Sequence, residues 1–343
     1  DSKLEVTDPL FDTPVPERAV MAVMTSGTTG IPKILFRSFE SWADFFAIQN
    51  AVFGVDADSR LFVQGSLAFT GNLNLYMGQL AAGGTLIAED VFLPGKWEQV
   101  MARERANGIY LIPSKLLMLP RVFKGVNANI RTIISGSQSL GRKDAEVLKK
   151  IFPNTEITLY YGASELNYIT YVKSADMTEE RNLIGKPFPG VRVFIQDDEM
   201  YVDNAFHVEN ITVPYSLKDS GRMDLQGNFY FLGRTDDIVG VRGRKVSMMK
   251  IENALEEVAG ITEAAVVLLP KEKDADMPAE IVSAFVTVEG TDVPENLRQQ
   301  LKEKLADFEI PKRVIVLEAF PKNTSGKVDK ARLKKMWIEQ EPQ

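Results

Sequence analysis

A short loop near the start of the chain carries side chains that can bind phosphate. Its sequence, Thr25-Ser-Gly-Thr-Thr-Gly-Ile-Pro-Lys33, combines hydroxyls, two glycines and a lysine. Glycine lets backbone N–H groups approach a ligand closely, and hydroxyl and N–H groups donate hydrogen bonds to anionic oxygens. Because Gly27 is not followed at the required spacing by the Gly-Lys-Ser/Thr of a Walker A loop, the segment predicts another kind of phosphate loop. The alternative is a polar surface turn.

A second candidate site lies around residues 160–165, directly after a predicted strand at 156–159. The segment Tyr160-Tyr-Gly-Ala-Ser-Glu165 offers aromatic rings, a glycine, a hydroxyl and a carboxylate. Open α/β sheets bind ligands beyond the carboxyl ends of their strands. There, an aromatic ring can stack on a base and a carboxylate can ligate Mg²⁺. The alternative is a strand exit with Tyr161 in the core.

Two later segments place charged side chains beside glycines. Within residues 219–251, Asp219 and Arg234 can hydrogen-bond sugar hydroxyls, and the basic stretch after Leu232 can meet anionic groups. Residues 321–329 contain a turn that presents Lys327. Each segment has a plainer interpretation: a hairpin with a solvated basic face for the first, and an exposed turn for the second.

The composition excludes several kinds of catalysis. The 343 residues include no Cys and a single His, His207. Disulfides, thiolate nucleophiles and Cys-ligated metal sites are therefore excluded, and one histidine cannot form a multi-His metal site. His207 lies in an alternating, strand-like segment without a neighbouring nucleophile elbow, so a Ser-His-Asp hydrolase is not predicted.

Net charge and hydropathy limit the partners. The net charge is -7, and no basic face is large enough to predict binding to nucleic acid. No stretch of about 18 apolar residues predicts a transmembrane helix. The first residues lack the apolar region of a secretory leader. We therefore expect a soluble, cytoplasmic protein that acts on small molecules.

Apolar runs that alternate with helical patterns predict an α/β fold. We expect strands at residues 19–24, 60–64, 85–88, 108–112 and 130–136, with helices at 38–53, at 97–107 and from 114. This alternation predicts a parallel sheet covered on both faces.

The pattern changes after about residue 185. Short alternating runs at 191–196, 199–202 and 207–213 predict a mostly antiparallel β section. A smaller α+β unit is predicted from residue 234. We therefore expect a large N-terminal domain over residues 1–233, mainly β from 186, and a small, mobile C-terminal domain over residues 234–343.

The candidate segments, taken in order, resemble the motifs of the adenylate-forming superfamily of acyl-CoA synthetases, nonribosomal peptide synthetase adenylation domains and luciferases. The matching segments are residues 25–33, 161–165, 184–190, 233–237 and 321–327. The resemblance implies that a carboxylate attacks the α-phosphate of ATP to give acyl-AMP and pyrophosphate, after which a thiol displaces AMP. This reaction needs positive charge around phosphorus and no protein nucleophile, which fits the composition.

The resemblance also implies roles for individual residues. ATP is expected to bind at Thr25, Ser26, Gly27, Thr28, Thr29, Gly30, Lys33, Gly136, Ser137, Tyr161, Gly162, Asp219 and Arg234. Ser164 is expected to contact phosphate, Glu165 to ligate Mg²⁺, and Lys327 to bridge the attacking carboxylate and the phosphate. Asp236 is the expected hinge between the two steps.

The acid substrate is expected to bind near Ala68 and Phe69. Family members that activate amino acids place an Asp directly after the aromatic residue, whereas Thr70 follows Phe69 here. The surroundings are apolar, so the sequence favours a fatty or other hydrophobic acid over an α-amino acid. The same apolar residues are also compatible with a sheet core.

CoA is the expected thiol because Gly243, Arg244 and Lys245 form a basic loop that can meet its phosphates. A carrier-protein pantetheine would meet the same loop and stays an alternative, as does a nucleotide-binding relative without catalysis. Family members also carry a longer segment before the phosphate loop than the 24 residues that precede Thr25. We therefore expect part of the first subdomain to be missing, in a naturally short member or a fragment.

Overall fold

The computed structural model describes residues 14–25, 33–67, 69–235, 238–241, 244–271, 280–322 and 328–339, without the side chains of Thr25 and Lys245. Several expected site residues lie outside these ranges: Ser26, Gly27, Thr28, Thr29, Gly30, Ala68, Asp236, Gly243 and Lys327.

The chain divides into two compact units. The first comprises residues up to 217 together with 222–231, and the second comprises 218–221 together with residues from 232 onward. The domain boundary that we predicted after Gly233 lies inside the second unit.

The first unit begins with a two-stranded antiparallel hairpin, β1 (Ala19–Thr25) and β2 (Lys33–Ser38). We expected the strand at residues 19–24 to belong to the parallel sheet and the helix at 38–53 to be the next element. Both expectations are wrong, because β1 pairs antiparallel with β2 outside the main sheet, and β2 precedes the first helix. The predicted phosphate loop therefore starts at the end of β1 and finishes at the start of β2.

The helix predicted over residues 38–53 is divided in two. Helix α1 (Phe39–Ala43) begins after Ser38, whose hydroxyl accepts a hydrogen bond from Ser41 N, and α2 (Phe45–Phe53) follows Asp44. Helix α2 ends at Gly54, which has a φ of 66°. Glycine adopts this left-handed conformation without strain and so ends the helix.

The main sheet has eleven strands in the described residues, in the order β10-β11-β12-β13-β9-β8-β7-β6-β5-β3-β4. Their bounds are β3 (Arg60–Gln64), β4 (Thr85–Glu89), β5 (Gly108–Tyr110), β6 (Thr132–Gly136), β7 (Glu156–Ala163), β8 (Asn167–Lys173), β9 (Leu183–Pro187), β10 (Arg192–Gln196), β11 (Glu199–Asp203), β12 (Tyr215–Met223) and β13 (Phe229–Arg234).

Strands β3 to β7 pair in parallel, as predicted. The antiparallel section is also confirmed, but it begins earlier than residue 185, because β7 and β8 already pair antiparallel. The strand that we predicted over residues 207–213 is absent from this described segment.

Helices of the first unit cover the parallel strands. They are α3 (Thr70–Ala81), α4 (Pro94–Arg103), α5 (Pro113–Leu116), α6 (Leu119–Val122) and α7 (Arg142–Ile151). Side chains along β3 point alternately into two cores, with Phe62 packed near Trp97 in one, and Leu61 and Val63 near Phe53 in the other. Both faces are therefore buried, as expected for a parallel sheet.

The second unit is a small α+β fold, as predicted. Its elements are β14 (Ile238–Val241), β15 (Arg244–Ser247), α8 (Met248–Glu256), β16 (Ile261–Pro270), β17 (Glu280–Val288), α9 (Leu297–Lys302), β18 (Arg313–Val316) and α10 (Lys330–Glu339). Strand β17 pairs antiparallel with β16 and parallel with β18. Helix α8 packs Ile251 and Leu255 against Val266 on this sheet.

Candidate functional site

The carboxyl ends of β6 and β7 bring two predicted site segments together. Gly136, the last residue of β6, pairs with Tyr160 of β7. A Cβ atom at position 136 would lie 2.4 Å from Cζ of Tyr160, so only glycine fits beside this ring. Ser137 follows with a φ of 69°. Gly136 and Ser137 therefore lie beside the start of the Tyr160–Glu165 segment.

Ser164 and Glu165 lie at the tip of a tight turn between β7 and β8. Leu166 N donates to Ala163 O over 3.1 Å, which closes the turn. A Cβ atom at Gly162 would lie 2.6 Å from Asn167 O, so the two strands approach closely here. The turn extends beyond the parallel strands at their carboxyl edge, where α/β sheets bind ligands.

The predicted acid-binding loop contacts this turn directly. Phe69 immediately precedes α3, and Thr70, the first residue of that helix, places Oγ1 2.9 Å from Ser164 Oγ. The start of the helix is fixed further by Tyr168, whose hydroxyl donates to Gly71 O over 3.0 Å. The structure therefore places Phe69 and Thr70 beside the turn of Ser164 and Glu165.

Three buried tyrosines form the base of this region. The hydroxyls of Tyr110 and Tyr160 are 2.8 Å apart, and the rings of Tyr160 and Tyr168 are centred 4.4 Å apart. Burial raises the pKa of Tyr160 to about 12 and raises the pKa values of Tyr110 and Tyr168 well above their usual range. All three hydroxyls are therefore neutral near pH 7 and serve as hydrogen-bonding groups.

Tyr161 and Glu165 remain more accessible than these tyrosines. Tyr161 is half-buried, with its ring centre 5.8 Å from that of Phe231. Glu165 is also half-buried, and no side chain in the described ranges makes a hydrogen bond or ion pair with its carboxylate. Of these two side chains, the Glu165 carboxylate is available to a ligand.

The two ends of the predicted phosphate loop lie side by side. Thr25 at the end of β1 pairs with Lys33 at the start of β2. Residues 26–32 themselves lie outside the described ranges. Lys33 is exposed, so its ammonium can reach an anion at this end of the hairpin.

Sequence reasoning missed Arg37, which is completely buried on β2. Its Nη2 donates to Ser164 O over 2.8 Å, and its Nη1 donates to Phe206 O over 2.8 Å. Burial lowers the pKa of Arg37 to about 10, and the negative charge of Glu165 opposes that shift. Arg37 is thus a cation near pH 7. The signal was a single charge within the apolar stretch Ile34-Leu-Phe-Arg-Ser.

The segment with the single histidine also contacts this turn. Val208 N donates to Glu165 O over 2.9 Å, and Glu209 N donates to Phe36 O over 2.8 Å. Nδ1 of His207 lies 2.7 Å from Val208 O. These contacts explain why the alternating residues 207–213 form no strand, since their backbone bonds go to other segments.

In the second unit, two expected ribose-binding residues form an ion pair. Arg234 Nε lies 3.5 Å from Oδ1 of Asp219, which is buried. Gly233, with a φ of 129°, precedes Arg234, and a Cβ atom there would lie 3.2 Å from Ser247 Oγ. The guanidinium of Arg244 lies 4.8 Å from the ring centre of Phe308. Lys322 and Val328 pair on either side of the segment that contains Lys327.

The side chains around Glu165 suit a metal ion that takes most of its ligands from a bound phosphate substrate. Within the described ranges, no group of three or more acidic or histidine side chains is arranged to hold a metal. A single carboxylate with phosphate oxygens is a common arrangement for Mg²⁺, and Glu165 can supply that carboxylate.

Among the described helices, none is long and apolar enough to cross a bilayer.

Two family profiles match the chain. The profile described as AMP-binding enzyme matches residues 2–205, and the profile described as AMP-binding enzyme C-terminal domain matches residues 250–327. The first of these alone covers more than half of the chain.

Similar proteins include ligases and a peptide synthetase. The uncharacterized acyl-CoA ligase YhfT of Bacillus subtilis (strain 168) is 27% identical over 348 residues, covering 96% of this chain and 70% of that protein. The probable non-canonical nonribosomal peptide synthetase CymA of Salinispora arenicola (strain CNS-205) is 25% identical over 366 residues, covering 96% of this chain and 4% of that protein.

A solved structure with the same fold is O-succinylbenzoate coenzyme A synthetase (MenE) from Bacillus subtilis, in complex with ATP and magnesium ion. It aligns with a TM-score of 0.79 at 20% identity, covering 91% of this chain and 69% of that chain. At 20% identity, this similarity is evidence for a shared fold.

Proposed function

Because the chain belongs to the AMP-binding enzyme family, within the adenylate-forming superfamily, we propose that it activates a carboxylic acid with ATP and transfers the acyl group to CoA. A carboxylate oxygen attacks the α-phosphorus of ATP, and the bond to pyrophosphate breaks. The thiol sulfur of CoA then attacks the acyl carbon, AMP leaves, and the thiol proton is released. The observation that carries this proposal is the contact between Thr70 and Ser164, which joins the loop that we assign to the acid to the turn that we assign to phosphate.

The first step develops negative charge on the phosphate oxygens, so positive charge and hydrogen-bond donors must surround them. We assign Lys33 and the hydroxyls of residues 25–30 to the β- and γ-phosphates. Ser164 donates to phosphate, and Lys327 stabilises the charge that forms between the acid and the α-phosphorus. ATP supplies the activation, so no side chain forms a covalent intermediate.

Mg²⁺ is the proposed metal, with Glu165 as its protein ligand. When bound, the ion neutralises charge on the phosphates. The Glu165 carboxylate is free to bind it, because no side chain in the described part of the chain pairs with that group. Tyr161 offers its ring to the adenine, and Asp219 and Arg234 are assigned to the ribose.

We assign a fatty or other hydrophobic acid as the substrate. Leu67 and Phe69, on either side of position 68, are 55% and 47% exposed, so apolar surface is available to an acyl chain at the start of α3. Thr70 occupies the position at which family members that activate amino acids carry an Asp, whose carboxylate would pair with the substrate ammonium. Both observations disfavour an α-amino acid.

For the second step, we assign Gly243, Arg244 and Lys245 to the CoA phosphates and Asp236 to the hinge. A carrier-protein pantetheine is the alternative acceptor. The similarity to a nonribosomal peptide synthetase favours that alternative, whereas the similarity to an acyl-CoA ligase favours free CoA.

The test is acid-dependent release of pyrophosphate across a panel of carboxylic acids, with Lys327→Ala measured in parallel. We expect release with at least one hydrophobic acid, a strong loss in Lys327→Ala, and acyl-CoA when free CoA is added. Absence of release with every acid contradicts the proposal. Unchanged release by Lys327→Ala contradicts the role of that lysine.

A further inference from the structure

We propose that Arg37 is a positioning residue of this site. Its guanidinium holds the Ser164–Glu165 turn, which carries the proposed metal ligand, at a fixed place relative to the β1–β2 hairpin, which carries the proposed phosphate loop. This assignment rests on the proposed function. Because Arg37 is completely buried, it acts through Ser164 and Glu165 rather than on a ligand.

The burial of Arg37 requires a compensating arrangement. A charged side chain without water is strongly destabilising unless it is hydrogen-bonded, and an apolar side chain of similar size is often at least as stable in such a place. Arg37 has no exposed surface, although it lies on a short hairpin strand among apolar neighbours. The hydrogen bonds of the guanidinium must therefore offset the free-energy cost of burying its charge.

The guanidinium joins three separate parts of the first unit through backbone carbonyls. Nη2 donates to Ser164 O, which is 127 residues away in sequence, and Nη1 donates to Phe206 O, which is 169 residues away. Nη1 also lies 3.3 Å from Ser41 O in α1. Arginine presents several donors in a rigid plane, whereas lysine is a point donor, so lysine cannot reproduce this set of contacts.

Backbone contacts run alongside the guanidinium. The segment around Phe206, whose carbonyl accepts from Nη1, also binds both the turn and the hairpin through its backbone. Val208 N donates to Glu165 O in the turn, and Glu209 N donates to Phe36 O in the hairpin. Val208 packs with Val23 and Leu35 of the hairpin in one small apolar cluster. The hairpin, the 206–209 segment and the turn are thus connected as one assembly.

Ser164 is held from two sides by this arrangement. Arg37 binds its backbone carbonyl, while Thr70 contacts its hydroxyl. The carbonyl contact fixes the turn against the hairpin, and the hydroxyl contact fixes it against the acid-binding loop. Replacing Arg37 removes the carbonyl contact and leaves the hydroxyl contact in place. We therefore expect a change in kcat/KM for MgATP and in the Mg²⁺ requirement, rather than in the KM for the acid.

The expected defect is large because catalysis is sensitive to small displacements. A misplacement of about 1 Å costs on the order of 100-fold in rate. We therefore expect kcat/KM for MgATP to fall by about 100-fold in Arg37→Met and Arg37→Lys. The KM for the acid should change little, and the Mg²⁺ concentration for half-maximal rate should rise.

Arg60→Met is the matched control. Arg60 begins β3, where its Nε donates to Glu104 O over 2.8 Å, so it also binds backbone through its guanidinium. It lies at the amino end of the parallel strands, away from their carboxyl edge. We expect Arg60→Met to lower the melting temperature without changing the MgATP parameters.

The measurements are MgATP, Mg²⁺ and acid saturation curves for pyrophosphate release, with thermal unfolding of each variant. If Arg37→Lys folds and its MgATP parameters match those of Arg60→Met, the positioning role is contradicted. If Arg37→Met fails to fold, the comparison of Arg37→Lys with Arg60→Met tests the positioning role by itself, because lysine keeps the positive charge.

Calorimetric binding of ATP with Mg²⁺ separates this inference from the proposed function. If the unmodified protein releases no pyrophosphate but binds MgATP, and the Arg37 variants bind it at least tenfold more weakly than Arg60→Met does, the proposed reaction fails and the positioning role stands. Equal binding by all these proteins, or no binding by the unmodified protein, contradicts the positioning role.

Discussion

The hydroxyl oxygens of Thr70 and Ser164 lie 2.9 Å apart, although 94 residues separate them in sequence. This contact joins the first turn of α3 to the turn between β7 and β8. The loop that we assign to the acid and the Ser164–Glu165 turn that we assign to phosphate therefore share a boundary, where we propose that a carboxylate meets the α-phosphate.

Replacing Thr70 by Val tests this boundary. The change keeps the shape but removes the hydroxyl, and a neutral hydrogen bond contributes about 0.5–1.5 kcal/mol. We expect kcat/KM for the acid to fall by about two- to tenfold. Thr70→Ser keeps the hydroxyl and should retain most of the activity. Equal activity of the Val and Ser variants would show that the contact has no role in the reaction.

Replacing Gly136 by Ala tests the packing under the site. The added Cβ would meet the ring of Tyr160, and overpacking of this kind costs about 1–3 kcal/mol. We expect a lower melting temperature, by about 2–4 °C per kcal/mol. Gly95→Ala on α4 is the control, because a Cβ at Gly95 meets nothing within 4 Å. The account of this packing is wrong if both variants melt like the unmodified protein.

The tyrosine cluster predicts a loss of stability in alkali. The pKa of Tyr160 is raised from 10.0 to about 12, so its contribution is fully present below pH 10.0 and is lost as the pH rises toward 12. Urea unfolding across that window should show a smaller loss for Tyr160→Phe than for the unmodified protein. Tyr201→Phe, on β11 outside the cluster, is the control and should keep the original loss. Parallel behaviour of all three proteins would refute the prediction.

Replacing Glu165 by Gln tests the metal ligand. The change removes the negative charge that we assign to Mg²⁺, so the Mg²⁺ concentration for half-maximal pyrophosphate release should rise by more than about tenfold. Glu156→Gln, at the other end of β7, removes a carboxylate that pairs with Lys173 Nζ at 2.6 Å and serves as the control. A metal requirement that is the same in both variants would exclude Glu165 as the ligand.

The sequence predicted the parallel strands because their apolar runs are bounded by clear turn signals. Strand β3 has the bounds that we expected, and β4 to β6 differ from expectation only near their ends. Helix α3 was not predicted, because Gly71, Asn72 and Asn74 have low helix propensity. In the structure, Asn74 is buried and its Nδ2 donates to Asn167 Oδ1 over 2.8 Å. Tertiary contacts therefore compensate for weak local preference.

The sequence predicted less of the candidate site than of the fold. The resemblance pointed to Ser164 and Glu165, but Arg37 was missed because a lone charge in an apolar strand does not reveal partners 127 and 169 residues away. The strand expected over residues 207–213 was wrong for a related reason. Its alternating pattern is real, yet the backbone N–H groups of Val208 and Glu209 donate to the turn and to the hairpin.

The most direct test of the central claim is exchange of labelled pyrophosphate into ATP, measured with a panel of acids and without any thiol. Exchange requires the reversible formation of acyl-AMP and isolates the first step from the choice of acceptor. We predict exchange that depends on both a hydrophobic acid and Mg²⁺ and is strongly reduced in Lys327→Ala. Exchange that is absent with every acid, or that proceeds equally without acid, would contradict the account.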